Sequence, residues 1–151
     1  MIDTTKNIWY PGSAYASEEW IEFLFKTFKG KWFYSDIHNN WAWDTTKNIS
    51  RLTFDTLENP RPEFLERINL HTLVLSRHSG LRTFDEILNS QILEYNKPKY
   101  FIYDPGTNSG DINQHINEIP LFNTIGYKLD KIVVLPHLHH QYCEYELTAP
   151  Q

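Results

Sequence analysis

Cysteine is almost missing. Cys143 stands alone in 151 residues, which rules out an internal disulfide and a cysteine-rich zinc site and fits a reducing compartment. No run approaches the roughly 20 consecutive apolar residues of a membrane-spanning helix. The opening residues Met1-Ile2-Asp3-Thr4-Thr5-Lys6 lack the basic and then apolar regions of a secretory signal. The protein is therefore expected in the cytoplasm, with no membrane partner. Positive charge is scarce as well: 14 Lys+Arg against 19 Asp+Glu give a formal net charge of −5. That balance offers no general attraction to a polyphosphate backbone, so a nucleic-acid partner would need a local basic patch that the sequence does not display. Repeats, low-complexity tracts and linker-like stretches are absent too, and residues 1–151 are expected to form a single domain.

What the sequence does have is aromatic residues, 15% of the chain, and a repeated alternation of short strand-like and helical segments. Asn7-Ile8-Trp9-Tyr10 reads as a strand broken by Pro11-Gly12-Ser13. Ser17 then caps a helix with Glu18 and Glu19 in its first turn, and Trp20, Leu24 and Phe28 recur at helical spacing until Gly30. Lys31 to Ile37 and Arg51 to Asp55 read as second and third strands, each carrying an Asp near its end, and Leu70 to Ser76 as a strand covered on both faces. Thr83-Phe84-Asp85-Glu86 is a capping box for a helix through Leu88, Ile92 and Tyr95. Tyr100 to Tyr103 is a further buried strand, closed by Asp104-Pro105-Gly106, after which Asp111 caps a helix carrying Ile112, Ile116 and Ile119. Lys131 to Leu135 and Tyr142 to Leu147 make a closing antiparallel hairpin. The pattern predicts an α/β fold: a Rossmann-like, mostly parallel sheet with helices on both faces and a C-terminal antiparallel hairpin.

In such sheets ligands bind outside the carboxyl ends of the strands, at the topological switch point. Those ends carry Gly12, Asp36, Asp55, Ser76 to His78 and Asp104 to Gly106. Each also has a plainer reading. Gly12 serves equally as a turn glycine, Asp36 and Asp55 as solvated acids or caps, and Asp104-Pro105-Gly106 as a tight turn.

This layout resembles the class I, S-adenosylmethionine-dependent methyltransferases over nearly the whole chain. The resemblance implies that the turn Pro11-Gly12-Ser13-Ala14 lies against the cofactor, with Gly12 and Ser13 offering backbone N–H groups to its carboxylate. It implies that Asp36 takes the ribose hydroxyls and that Asp55 lies near the adenine. The turn has one glycine where that family usually has two or three. The C-terminal half is similar to the uracil-5 RNA methyltransferases in Leu75-Ser76-Arg77-His78-Ser79-Gly80-Leu81, in Gly126-Tyr127-Lys128-Leu129 and in Leu135-Pro136-His137-Leu138-His139-His140. The nucleophilic Cys of that family would fall near Asp104, and a carboxylate cannot replace a thiolate in adding to a uracil ring, so uracil-5 methylation is not expected.

Two functions follow from the resemblance. One is a small methyltransferase that binds S-adenosylmethionine at Gly12, Ser13, Asp36 and Asp55 and turns Arg77, His78 and Asp104 to its substrate, with His78 as the base. The other is a non-catalytic descendant with a degenerate site that binds a protein or nucleotide partner, a kind of minimal domain at home in phages and other mobile elements. A third reading, a hydrolase at His137, His139 and His140, needs a bound metal or a phosphate-shaped pocket. On an extended strand only two of these histidines share a face, and no metal is expected. Trp32, Trp41 and Trp43 read as core or partner-binding aromatics before base-stacking ones.

Overall fold

Short apolar runs bounded by Gly, Pro and Asp become seven strands of one sheet in the computed structural model of the chain, which describes residues 2–14, 16–37, 49–56, 58–76, 91–105, 109–135 and 140–148. The strands are β1 (Ile8–Pro11), β2 (Trp32–Asp36), β3 (Ile49–Thr53), β4 (Thr72–Ser76), β5 (Tyr100–Asp104), β6 (Tyr127–Leu135) and β7 (His140–Leu147). The helices among the described residues are α1 (Glu18–Thr27), α2 (Ile92–Asn96) and α3 (Ser109–Thr124), with a 3-10 turn at Glu63–Leu65. The sheet order is β3-β2-β1-β4-β5-β7-β6. Neighbours from β3 through β5 are parallel, and β7 runs antiparallel to both β5 and β6. The chain winds outward from β1 to β3, then returns to place β4 on the other side of β1. The switch point therefore lies between β1 and β4.

Alternation along the strands divides the core. Trp9, Phe33, Leu73, Phe101 and Tyr145 pack in one apolar cluster with Ile92 and Leu93 of α2 and Phe122 of α3. Tyr10, Tyr34, Val74, Ile102 and Tyr142 pack in another with Trp20, Ile21 and Leu24 of α1. Burying each aromatic ring removes roughly 150–250 Å² from water, about 4–6 kcal/mol before ordering costs. The aromatic share of the sequence is thus spent largely on the core. Trp32 belongs here as well: it stacks on Tyr34 with centroids 5.0 Å apart, and its indole N–H donates to the Phe28 carbonyl at 3.0 Å. Trp41 and Trp43 lie outside the described residues.

Ser17 caps α1 as its residue type predicts, its hydroxyl accepting the Trp20 N–H at 3.3 Å. The helix ends at Thr27, before Gly30, because Phe28 turns extended. Gly30 is instead needed for close approach, since a Cβ there would stand 1.8 Å from the Lys6 carbonyl oxygen.

Three expectations need correction. The helix expected to run through Leu88, Ile92 and Tyr95 does not pass through Gln91, whose φ of 57° is left-handed and cannot continue a helix, so α2 starts at Ile92; the capping box at Thr83 and Leu88 lie outside the described residues. The last helix opens at Ser109, which puts Asp111 inside its first turn and not at its cap. Among the residues whose side chains are described, His115, Glu118 and Phe122 are buried, while Ile116 is 61% exposed. Polar partners on the strands below explain the phase. Tyr145 Oη lies 3.1 Å from His115 Nε2, and Tyr103 Oη donates to Glu118 at 3.4 Å.

Candidate functional site

The carboxyl ends of the parallel strands meet at one edge. In-register pairing of Pro11 with Ser35 and of Leu75 with Tyr103 brings the β1–α1 turn beside Asp36, and Ser76 beside Asp104. Strand alternation sends Tyr10, Asp36, Ser76 and Asp104 to the face that α1 covers.

Gly12 has a φ of 71°, the left-handed conformation that glycine adopts without strain. The turn it makes leans on β2. Its N–H donates to the Ser35 carbonyl at 2.7 Å, the Ser13 N–H shares the same acceptor at 3.2 Å, and the Ala14 N–H donates to Asp36 Oδ2 at 3.0 Å. Ser13 Oγ donates back to the Tyr10 carbonyl at 2.9 Å. These bonds occupy the N–H groups of Gly12 and Ser13, and the turn is held by its own sheet. Asp36, only 6% exposed, is fixed over the turn by the Ala14 N–H.

A second arrangement at this edge was not legible as a motif. The Trp20 indole N–H donates to Tyr10 Oη at 3.1 Å, Tyr10 Oη lies 2.5 Å from Ser76 Oγ, and Ser76 Oγ donates to Asp104 Oδ2 at 3.4 Å. Trp20, Tyr10 and Ser76 are buried, and Asp104 is half-buried. Sequence reading found Asp104 from its place at a strand end. The two hydroxyls and the indole that lead to it come from three other elements, and no spacing in the sequence links them.

Asp55 lies past β3, which ends at Thr53 and not at Asp55 as expected. Phe54 returns its N–H to the Asp36 carbonyl at 3.0 Å, and the Asp55 carbonyl accepts the Asn59 N–H at 2.9 Å, so the chain is already turning. Arg77 and His78 lie outside the described residues, as do His137 and His139; His140 opens β7. Cys143 is buried in β7 opposite Tyr103. Burial pushes its thiol up to about 12, with the Asp104 and Glu118 carboxylates adding to the shift. The one thiol of the chain is thus held protonated in the core, where it cannot serve as a nucleophile.

No protein-family model matches the chain, and no curated protein matches it. A solved structure does: a SAM dependent methyltransferase from Aquifex aeolicus, superposing with a TM-score of 0.57 over 97% of this chain and 85% of that one, at 14% sequence identity. The chain has the fold of a SAM-dependent methyltransferase. Its sheet carries the dinucleotide-binding strand order 3-2-1-4-5-6 with an antiparallel strand inserted before the last. At that identity the likeness concerns the fold, and activity has to be argued from the site.

Proposed function

We propose that this protein is a small S-adenosylmethionine-dependent methyltransferase, a single domain with helices on both faces of its sheet, acting in the cytoplasm. The observation that carries the reading is the placement of Asp36. It stands at the carboxyl end of β2, pinned by Ala14 over the β1–α1 turn and next to the switch point, the position from which an acid takes ribose hydroxyls. The donor set fits such a cofactor. Asp36 and Asp104 are acceptors suited to a ribose diol and to a cationic sulfonium and ammonium, and the edge they share lies in a chain of net charge −5. Asp36 and Asp55 would hold the nucleoside along the Gly12–Ser13 turn. The N–H groups of Gly12, Ser13 and Ala14 are engaged with β2, so the cofactor carboxylate would be met elsewhere. The cofactor supplies an electrophilic methyl group when bound. Arg77, His78 and Asp104 would face the acceptor, His78 removing its proton where one must leave. The buried Cys143 thiol supports a methyl acceptor other than a uracil carbon activated by thiolate addition.

Calorimetric titration with S-adenosylmethionine and S-adenosylhomocysteine tests the reading. Saturable binding is expected, weakened at least tenfold in Asp36→Ala. No heat from a folded protein would remove the methyltransferase reading and leave the non-catalytic one, a binding domain for a protein or nucleotide partner.

A further inference from the structure

The chain of contacts from Trp20 to Asp104 has only one consistent direction. An indole N–H can only donate, so Tyr10 Oη accepts from Trp20. At the other end an ionised carboxylate can only accept, so the single Ser76 proton is committed to Asp104. With that proton used, Ser76 Oγ can only accept from Tyr10, and the contact between the two hydroxyls takes its direction from both ends. Three donors therefore point the same way, each polarising the next, toward a half-buried carboxylate at the edge where ligands bind.

We propose that Tyr10 and Ser76 are positioning residues that hold the Asp104 carboxylate as a hydrogen-bond acceptor for the N–H or O–H of the methyl-accepting group. The inference rests on the methyltransferase reading and deepens it. Tyr10 in β1 and Ser76 in β4 flank the switch point, and α1 supplies Trp20 as the first donor. Burial makes the arrangement costly to leave incomplete: Tyr10 is 0% exposed and Ser76 3% exposed, and a buried hydroxyl deprived of its partner costs about 1–3 kcal/mol. An anionic acceptor group would meet a carboxylate already oriented against it, whereas an amine, ammonium or hydroxyl brings a proton that a carboxylate can accept.

The test is the indole N–H resonance of Trp20 in nitrogen-15-labelled protein, assigned with Trp20→Phe. If the chain acts as one unit, Ser76→Ala and Asp104→Asn both move this signal upfield although the indole N–H itself donates to Tyr10 Oη. Ser76→Thr, which keeps a hydroxyl, returns it to the wild-type position. A Trp20 signal that stays in place in Asp104→Asn, or that Ser76→Thr fails to restore, overturns the proposal. Asp104 is half-buried, so Asp104→Asn keeps the test available should Ser76→Ala not fold. None of these spectra needs a cofactor. A coupled Trp20 signal with no calorimetric binding would leave the chain standing and remove the methyltransferase site it serves.

Discussion

His115 on α3 and Tyr145 on β7 meet at 3.1 Å inside the core, Nε2 to Oη, with Phe122 packed beside both rings. Glu118 stands one turn along, its Oε1 3.7 Å from His115 Nδ1, and takes the Tyr103 hydroxyl. The helix thus binds its sheet through a polar stripe where an apolar one was expected.

Removing that stripe should cost far more than removing the isoleucine beside it. His115→Ala opens a cavity and leaves the Tyr145 hydroxyl without its partner, a loss of about 2–4 kcal/mol. Ile116→Ala touches a side chain that is 61% exposed and should stay within about 0.5 kcal/mol of wild type. Urea denaturation of the two variants, with midpoints compared at equal slope, separates them. Equal effects, or the reverse order, would put the helix in the wrong phase.

Alkaline pH should loosen the fold through Cys143. Its thiol is raised from an ordinary 9.0 to about 12 by burial, so the folded chain keeps the proton that the unfolded chain has already released. The contribution is fully present below pH 9 and declines as pH rises toward 12. Burial also raises the phenols of Tyr34, Tyr127, Tyr142 and Tyr145, which acts in the same direction at the top of that range. Stability measured by denaturant at stepped pH should fall by a few kcal/mol between pH 9 and 12, and Cys143→Ala should show a shallower decline. In native protein at pH 8 the thiol should resist Ellman's reagent and should react once urea unfolds the chain.

Period and punctuation made much of this fold readable. β1, β2, β4 and β5 fall where short apolar runs end in Pro, Asp, Ser and Asp, and Ser17 caps the helix that its residue type announces. What failed to read was anything set by partners distant in sequence. The phase of α3 follows from Tyr103 and Tyr145, which a helical count of isoleucines cannot see. The break at Gln91 is a backbone conformation that no residue type there demands. At the edge, Asp36 and Asp104 were visible as strand-end acids. Ser76 was visible as a strand-end residue, but Tyr10 was not, and nothing linked the two, because Tyr10 looks like an ordinary inward strand residue until the sheet order puts β4 beside β1. The bonds from Gly12 and Ser13 to Ser35 escaped for the same reason: a turn glycine before a helix reads as a ligand cradle unless the neighbouring strand is known to take its N–H groups.

The bond from the Ala14 N–H to Asp36 Oδ2 gives a last expectation that separates the acid's structural duty from any ligand it holds. Asp36 is 6% exposed, and its carboxylate closes the β1–α1 turn across 3.0 Å. Asp36→Asn keeps a carbonyl oxygen for the Ala14 N–H while removing the charge. Asp36→Ala removes both, leaving a buried N–H without an acceptor at about 1–3 kcal/mol. Hydrogen exchange at Ala14 should therefore stay near wild type in Asp36→Asn and accelerate about tenfold or more in Asp36→Ala, since each 1.36 kcal/mol of lost protection is a factor of ten. Comparing the two variants in the calorimeter then isolates the charge. If Asp36→Asn keeps the turn protected yet loses S-adenosylmethionine binding, the carboxylate meets the cofactor directly. If both variants bind as wild type does, Asp36 is only the latch of the turn, and the ribose hydroxyls must be met by other groups at the same edge.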